Sequence, residues 1–351
     1  MNNLYHIAED ISRASGGVRT VVKDIQLQFP KSQILTTQKD PDDDAIQDFV
    51  KKGPWLYSRD LATHLNHLES NSLFHIHGVW MHAQYTAAKT ASKRNIPFIV
   101  TPHGMYEPWL WQEGRLKKKL YFKMFSCSAF AKARYIHAIT PDEQKNLKEL
   151  FPNTEVVCIP NAIEIVDVVE ANEPLRPYLL FLGRIHSKKG VELLIDVFTS
   201  LKSLDFDLKI VGPENDHALE LMDKVKQLKD SRIQFLGAVR GADKQHLYRN
   251  AHAFIAPSYS EVVGMVNLEA AMMATPVITT HQTGLLSDWN KNGGKLIDPN
   301  FKQLEAAILE CSNWTKSERD SKGQRLREFV IQEYSWKVNR PKWEALYNSM
   351  K

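Results

Sequence analysis

Two carboxylates, Glu261 and Glu269, stand on either side of a glycine-containing turn. The apolar run 253–256 before the turn is typical of a buried strand, and residues 265–274 after it are rich in strong helix formers. The turn therefore lies at the carboxyl end of a strand, which is where open α/β sheets bind ligands. A helix beginning near Gly264 would direct free N–H groups and the positive end of its dipole, about half an elementary charge, into the same space.

Acids beside such an anion site would repel phosphate groups. We therefore interpret Glu261 and Glu269 as hydrogen-bond acceptors for hydroxyl groups of a sugar or a ribose. Glu269 stands in an otherwise largely apolar helix sequence, where an unpaired carboxylate would be costly. The alternative is that both are solvent-exposed residues without a role, since Glu is mostly exposed in proteins.

A second polar turn follows the fully apolar run 178–182 and carries Arg184 and Lys189. One guanidinium and one ammonium therefore stand together at the carboxyl end of a predicted strand. They could hold a diphosphate from two sides and neutralise the charge that develops when a sugar–phosphate bond breaks. Two solvated loop cations are the alternative for this turn taken alone.

Residues 261–278 read E-V-V-G-M-V-N-L-E-A-A-M-M-A-T-P-V-I. This segment resembles the E-G-F-G-L-x-x-L-E-A-M-A-x-G-x-P-V-I motif of retaining glycosyltransferases of family 4, with departures at Val262, Val263 and Ala274. Residues 183–190 resemble the G-R-x-x-x-x-K-G pattern of the same family, matched at both basic positions. The resemblance covers nearly the whole chain and is most specific in residues 178–190 and 257–278.

The resemblance implies an α/β protein of the GT-B fold, with two Rossmann-like domains whose parallel sheets face each other across a cleft. It implies a retaining hexosyltransferase that uses a UDP- or GDP-linked nucleotide-diphospho-sugar. The acceptor would be a glycan hydroxyl in cell-envelope polysaccharide biosynthesis (O-antigen, capsule or exopolysaccharide), with an undecaprenyl-diphosphate-linked glycan as a candidate. No metal or other cofactor is expected, because Arg184, Lys189 and the helix dipole supply positive charge.

The resemblance also implies roles for individual residues. Arg184 and Lys189 would stabilise the departing diphosphate, and Glu261 would accept a hydrogen bond from the donor sugar. Domain closure would bring His103 over the sugar. We favour front-face attack, in which the leaving phosphate helps to deprotonate the acceptor, because no carboxylate is compelling as a nucleophile. Further contacts to the nucleotide-sugar are expected at Gly16, Gly17, Gly183, Val239, Gly264, Met265, Val266 and Glu269, the last of these with the ribose hydroxyls.

The pair Gly16-Gly17 separates the predicted strand 4–8 from the predicted helix 18–28. Without side chains, these residues let a ligand come close to the backbone. A simple turn before a helix is the alternative, and the pattern falls short of the G-x-G-x-x-G fingerprint of dinucleotide-binding proteins.

Three histidines of the first half, His75, His77 and His103, are candidate site residues. His103 follows the predicted strand 97–101, where a neutral imidazole could donate to a hydroxyl of the donor sugar. Residues 74–80, F-H-I-H-G-V-W, and residues 101–105, T-P-H-G-M, resemble segments of family 4 enzymes that build envelope polysaccharides. His75 and His77 would share one face of a strand and could in principle hold a metal. We interpret them as structural, because no cysteine or acid is well placed beside them.

An aromatic and basic cluster is formed by Trp109, Trp111, Arg115, Lys117 and Lys118. Tryptophan beside lysine suits the surface of an anionic membrane, where each exposed cation adds about 1 kcal/mol. A helix with a solvated basic face and tryptophans in the core is the alternative. A lipid-linked acceptor would make this region the docking surface.

A chain of 351 residues exceeds what one hydrophobic core usually supports, so we expect two domains. The first would comprise residues 1–165, with the C-terminal helix 336–351 packing back onto it, and the second residues 166–335. Residues 163–176 are acidic and contain Pro174, and Pro177 follows directly, which indicates a linker.

The net charge of +4 is small for this length and does not indicate a nucleic-acid partner. Three scattered cysteines form no zinc or disulfide pattern. Neither a signal peptide nor a spanning helix is visible, so we expect a cytoplasmic protein, or one peripheral to the inner face of the membrane. A nucleotide-sugar epimerase, a nicotinamide oxidoreductase and a non-catalytic scaffold that binds nucleotide-sugar are the rival functions.

Overall fold

Short apolar runs form two parallel sheets in the computed structural model, which describes residues 3–53, 55–107, 115–172 and 174–351. Contacts divide the chain into two compact units. The first unit is Met1–Ala162 together with Asn339–Lys351, and the second is Ile163–Val338. Each unit has one sheet and its own hydrophobic core.

The first unit contains seven strands in the order β3-β2-β1-β4-β5-β6-β7. Its strands are β1 Leu4–Ala8, β2 Gln33–Thr36, β3 Gln47–Asp48, β4 Leu73–His77, β5 Phe98–Thr101, β6 Tyr135–Ala138 and β7 Val156–Cys158. Its helices are α1 Gly17–Gln28, α2 Arg59–His67, α3 His82–Arg94, α4 Arg115–Tyr121, α5 Cys127–Phe130 and α6 Pro141–Leu150.

The second unit contains six strands in the order β10-β9-β8-β11-β12-β13. Its strands are β8 Tyr178–Leu182, β9 Asp207–Val211, β10 Ile233–Phe235, β11 Ala253–Ala256, β12 Val277–Thr280 and β13 Lys295–Ile297. Its helices are α7 Val191–Ser200, α8 Asp216–Leu228, α9 Gly241–Asn250, α10 Met265–Met272, α11 Phe301–Ser312 and α12 Lys316–Tyr334, and α13 Trp336–Asn348 ends the chain's regular structure.

The central strands β1, β4, β8 and β11 are buried along their whole length. Strands of a parallel sheet are covered on both faces, so they read as continuous apolar runs rather than alternating ones. This is why runs such as 178–182 identify strands from sequence, and the prediction of a parallel α/β architecture is confirmed.

Each sheet has one point where the strand order reverses. In the first sheet β1 lies beside both β2 and β4, and in the second sheet β8 lies beside both β9 and β11. The chain leaves these neighbouring strands toward opposite sides of the sheet. A crevice therefore opens at their carboxyl ends, which is the usual ligand site of such folds.

The last turns of α13 complete the core of the first unit. Tyr347 is fully buried, and its hydroxyl lies 2.8 Å from Nδ1 of His75. Its ring meets that of Phe29 edge to face at a centroid distance of 5.2 Å. The ring of Trp343 lies 4.5 Å from that of His137.

Helical structure after residue 115 is not uniform, because a π-helical segment Phe122–Ser126 lies between α4 and α5. Helix α7 ends at Ser200, because Leu201 leaves the helical conformation with φ −84° and ψ 68°. Residues 164–172 contain no helix or strand, as expected for a linker.

Candidate active site

The turns after β8 and β11 meet through their backbones. The N–H of Tyr259 donates to the carbonyl oxygen of Lys188 at 2.8 Å. Gly190 has φ +69°, and a Cβ atom there would overlap the carbonyl oxygen of Pro257. Only a residue without a side chain permits this approach, which brings Lys189 and Glu261 together.

Lys189 and Glu261 form an ion pair. The Nζ atom of Lys189 lies 2.6 Å from Oε2 of Glu261, and the two side chains are only 15% and 11% exposed. Ser258 donates its hydroxyl to the other carboxylate oxygen at 2.7 Å. The backbone N–H of Glu261 donates to the carbonyl oxygen of Gln282 at 2.9 Å, which fixes the turn from the β12 side. One cation and one anion predicted from different turns are therefore in direct contact.

Arg184 belongs to the same corner, but its side chain is exposed. It forms no hydrogen bond or ion pair with another residue that the structure describes. The positive charge of Arg184 also affects His186. The pKa of His186 is lowered mainly by burial, and to a smaller extent by the positive charges of Lys188 and Arg184. The guanidinium is thus accessible to an anion.

Helix α10 begins directly after Gly264, as expected, so the N–H groups of Met265 and Val266 lie in its first turn. A Cβ atom at Gly264 would overlap the side-chain amide of Asn267 and would lie 3.5 Å from the Glu261 carboxyl carbon. Glycine therefore leaves room for the helix to start beside the Glu261 carboxylate.

Asn267 is a buried polar residue beside Gly264, and sequence reasoning did not single it out. Its side chain is fully buried, and neither its amide nitrogen nor its amide oxygen has a hydrogen-bond partner among the described residues. Buried amides are nearly always hydrogen-bonded. An asparagine within the apolar run of α10 was the available signal.

Glu269 has partners that the sequence did not reveal. Its Oε2 atom lies 2.6 Å from Nζ of Lys244 and accepts a hydrogen bond from the Tyr248 hydroxyl at 2.9 Å. Both partners stand on α9. Tyr248 is buried, and its pKa is raised by burial first and then by the negative charge of Glu269. The Glu269 carboxylate is therefore paired. Its partners among the described residues lie on α9 and do not include Arg184 or Lys189.

The carboxyl ends of β8, β9 and β10 form one continuous backbone surface. Gly183 donates its N–H to the carbonyl oxygen of Val211, and Gly212 donates to that of Gly237, both at 2.9 Å. A Cβ atom at Gly212 would overlap the carbonyl oxygen of Gly183. Gly183 therefore lies close to the turn after β10, which includes the half-buried Val239.

In the first unit, Gly16 and Gly17 follow β1 at the reversal point of the sheet. Gly16 has φ 64°, and α1 begins at Gly17. A Cβ atom at Gly17 would meet no atom within 4 Å, so the space beside it is open.

His103 follows β5 with φ 54°, a conformation that is uncommon for a residue with a side chain. Its Nε2 atom lies 3.0 Å from Nδ1 of His77. Burial lowers the pKa of His103 to about 3, so its imidazole is neutral at pH 7. The next residue, Gly104, donates its N–H to Oε1 of Glu143 at 2.7 Å.

The buried carboxylate of Glu143 holds the turn that carries His103. Its two oxygens accept from the N–H of Ile139 and from that of Gly104, both at 2.7 Å. Thr140 caps the start of α6 and accepts from the N–H of Glu143 at 3.1 Å. Burial raises the pKa of Glu143 to about 7.

The imidazoles of His6, His75 and His77 are the described group that could hold a metal ion. Both ring nitrogens of His75 already have partners, the hydroxyl of Tyr347 at 2.8 Å and that of Thr101 at 2.7 Å. A metal would have to displace one of them.

The predicted membrane cluster is described only in part. Trp109 and Trp111 lie outside the described residues, whereas Arg115, Lys117 and Lys118 belong to α4. No described helix is long and apolar enough to span a membrane.

Two family models match the sequence in succession. The model described as glycosyltransferase family 4 matches residues 39–166, and the model described as glycosyl transferases group 1 matches residues 162–325.

Known proteins agree with this assignment. An uncharacterised glycosyltransferase of Methanocaldococcus jannaschii is 28% identical over 276 residues, which is 77% of this chain and 74% of that protein. The capsular polysaccharide biosynthesis glycosyltransferase CapM of Staphylococcus aureus is 27% identical over 175 residues, 48% of this chain and 45% of that one. The structure of Anabaena HepE in complex with UDP and glucose shares the fold, with a TM-score of 0.77 at 15% identity over 99% of this chain and 100% of that one. The chain belongs to the family 4 glycosyltransferases of the GT-B fold.

Proposed function

We propose that the protein is a retaining hexosyltransferase that takes a sugar from a UDP- or GDP-linked donor and transfers it to a hydroxyl of a glycan acceptor. The observation that carries the proposal is the Lys189–Glu261 ion pair at the reversal point of the second sheet, beside the start of α10. This ion pair combines a cation that can bind phosphate with a carboxylate that can accept a hydrogen bond from a sugar hydroxyl. The UDP and glucose in the HepE structure support the donor class.

In this proposal the diphosphate binds between Arg184, Lys189 and the first-turn N–H groups of Met265 and Val266. Three kinds of positive charge then meet the leaving group, and a preorganised donor of this kind is worth about 100-fold to 1,000-fold in rate. Glu269 accepts from the ribose hydroxyls, held in place by Tyr248 and Lys244. Glu261 accepts from the sugar, and His103 donates to it.

The transfer itself needs no enzyme nucleophile. The bond between the anomeric carbon and the phosphate oxygen breaks, and its electron pair stays on the diphosphate. The acceptor hydroxyl forms its bond to the same face of the anomeric carbon and passes its proton to the departing phosphate oxygen. The configuration is therefore retained, and no metal or cofactor takes part in the proposed step.

An envelope polysaccharide pathway is favoured by the match to CapM. A lipid-linked acceptor is favoured by the surface of α4 and the π-helical segment after it. Leu116, Leu120 and Met124 are 84%, 59% and 58% exposed and recur every four residues, with exposed Lys117 and Lys119 between them. Exposed apolar and basic side chains on one helix suit an anionic membrane at the cytoplasmic face.

Thermal-shift screening against UDP-, GDP- and ADP-sugars, followed by transfer assays with polyprenyl-diphosphate-linked glycans, tests the proposal. We expect one donor class to stabilise the protein, and NMR of the product to show a retained anomeric configuration. Arg184→Ala and Lys189→Ala should each lose at least about 100-fold in transfer. Lys202→Ala removes an exposed cation after α7 and is the charge-matched control.

Three results would contradict the proposal. They are near-normal transfer by either variant, conversion of the donor into an isomer without an acceptor, and binding of nucleotide-sugar without turnover.

Vesicle flotation tests the membrane contact: Leu116→Ser/Leu120→Ser should reduce binding to anionic vesicles. Equal binding to anionic and neutral vesicles would exclude the proposed charge contribution.

A further inference from the structure

Three imidazoles form a hydrogen-bonded row through the core of the first unit. Nδ1 of His6 lies 3.0 Å from Nε2 of His77, and Nδ1 of His77 lies 3.0 Å from Nε2 of His103. The planes of neighbouring rings differ by 33° and 25°. The residues come from β1, from β4 and from the turn after β5, so the strand register aligns them.

All three rings are neutral at pH 7. Burial lowers the pKa of His6 and of His103 to about 3 and that of His77 well below its usual range. A neutral imidazole has one N–H donor and one acceptor nitrogen. The row therefore has two arrangements, with every N–H directed either from His6 toward His103 or from His103 toward His6.

The inner end of the row distinguishes the two arrangements. Nε2 of His6 is buried and has no hydrogen-bond partner among the described residues. Donation toward His6 would leave an N–H unpaired at that atom, whereas donation toward His103 leaves only an unpaired acceptor. Orphaned buried N–H groups are the rarer of the two in proteins. Donation toward His103 is therefore favoured.

We propose that His6 and His77 are positioning residues that fix His103 in the tautomer with its proton on Nδ1. Nε2 of His103 then accepts from His77, and Nδ1–H remains as a donor for a hydroxyl of the donor sugar. The part concerning the sugar rests on the proposed function. The tautomer itself follows from contacts within the first unit.

A second polar group in the same core supplies the control. Nε2 of His75 lies 2.7 Å from the hydroxyl of Thr101, which lies 3.0 Å from Nδ1 of His137. His137 in turn contacts the carbonyl oxygen of Ile159 at 2.8 Å. His75 is as buried as His77 and on the same strand, but it has no hydrogen bond to His103.

The test is a two-bond ¹⁵N–¹H correlation spectrum of protein labelled in its imidazole nitrogens, with His103→Gln for assignment. We expect His103 to show a protonated Nδ1 and an unprotonated Nε2 at pH 7.

His77→Leu should give a mixture of the two His103 tautomers. It should also raise KM for the donor sugar about tenfold, which corresponds to the loss of one hydrogen bond. The affinity for free nucleotide should not change. His77→Asn keeps an N–H near the position of Nδ1 and should restore both properties. His75→Leu should leave the His103 signals unchanged.

Two results would overturn the proposal: a protonated Nε2 on His103 in the unmodified protein, or His103 signals and KM that stay unchanged in His77→Leu. Stoichiometric zinc on the purified protein, lost in His6→Leu, would show that the row is a metal site instead. The spectrum needs no turnover, so it separates this proposal from the proposed function. A protein that shows the expected tautomer but transfers no sugar would contradict only the proposed function. If His77→Leu does not fold, the unmodified protein and His77→Asn still decide the tautomer.

Discussion

Nζ of Lys189 lies 2.6 Å from Oε2 of Glu261, in a pair that is largely shielded from water. Each side chain comes from a different turn, and the glycine at position 190 lets the two turns touch. A diphosphate that binds Lys189 must therefore share the ammonium with Glu261 or displace it. Removing one member of such a pair leaves the other charge uncompensated.

Glu261→Gln should separate phosphate binding from sugar transfer. The amide no longer neutralises Lys189, so affinity for the free nucleoside diphosphate should be equal to or higher than that of the unmodified enzyme. The turnover number should fall about 100-fold, because the acceptor for the sugar hydroxyl is weakened. Calorimetry with nucleotide and steady-state assays with donor measure the two effects. Glu220→Gln changes an exposed carboxylate on α8 and serves as control. Loss of nucleotide binding in Glu261→Gln would exclude this division of roles.

Gly190→Ala should be far more harmful than Gly237→Ala. Both glycines have φ +69°, so alanine costs about 1 to 2 kcal/mol of backbone strain at each position. Only the Cβ atom at position 190 meets the carbonyl oxygen of Pro257, whereas nothing lies within 4 Å at position 237. We expect Gly190→Ala to lower the free energy of unfolding by about 1 to 3 kcal/mol more than Gly237→Ala does, which is the usual cost of overpacking. Equal denaturant midpoints for the two variants would show that the turns can separate without cost.

Tyr248→Phe tests whether α9 positions Glu269. A hydrogen bond to a charged group contributes about 1.5 to 3 kcal/mol, so the free energy of unfolding should fall by that amount. Lys244→Ala removes a partly exposed charge and should cost less than about 1 kcal/mol. If Glu269 binds the ribose, Tyr248→Phe should also reduce the preference for the nucleotide over its 2′,3′-dideoxy analogue in thermal-shift titrations. A preserved preference would place ribose recognition elsewhere.

Mild acid should destabilise the first unit. Burial lowers the pKa of His6 and His103 to about 3, that of His137 to about 4, and those of His75 and His77 well below the usual range. The unfolded chain binds these protons near pH 6.5, so stability is complete above that pH and is lost as the pH falls. Each imidazole that stays neutral in the folded protein lowers the free energy of unfolding by up to about 2 kcal/mol at pH 5.

Glu143 acts in the opposite direction, because its raised pKa makes the folded state bind one proton more between about pH 4.5 and pH 7. Five histidines outweigh one carboxyl group. Denaturant midpoints at pH 7.5, 6 and 5 measure the effect. His137→Gln should flatten the pH dependence by one proton. A stability that stays constant from pH 7.5 to pH 5 would contradict the prediction.

The strands and turns of the candidate site were predictable because they depend on local patterns. Apolar runs identify β8 and β11, and polar turns after them place Arg184, Lys189 and Glu261 at one edge of a sheet. The contact between Lys189 and Glu261 was not predictable in detail, because it depends on the approach of two turns that are distant in sequence.

Contacts between helices were harder to infer. Tyr248 and Lys244 carry no motif, and only the packing of α9 beside α10 shows that they engage Glu269. The histidine row likewise needs the strand register, which pairs His6 with His75 and His77 with Thr101. Strand β3 lies at the edge of the first sheet and consists of two exposed polar residues, so no apolar pattern marks it in the sequence.

Tyr347 and Trp343 pack on Phe29, His75 and His137, which lie far earlier in the chain. A ribosome makes the chain from its amino terminus at about 5 to 20 residues per second. Residues 3–162 are thus synthesised before the second unit, yet their contacts with α13 cannot form until that helix emerges. During that interval the surface that α13 covers is exposed to solvent, and a fragment that stops at residue 162 would keep it exposed permanently.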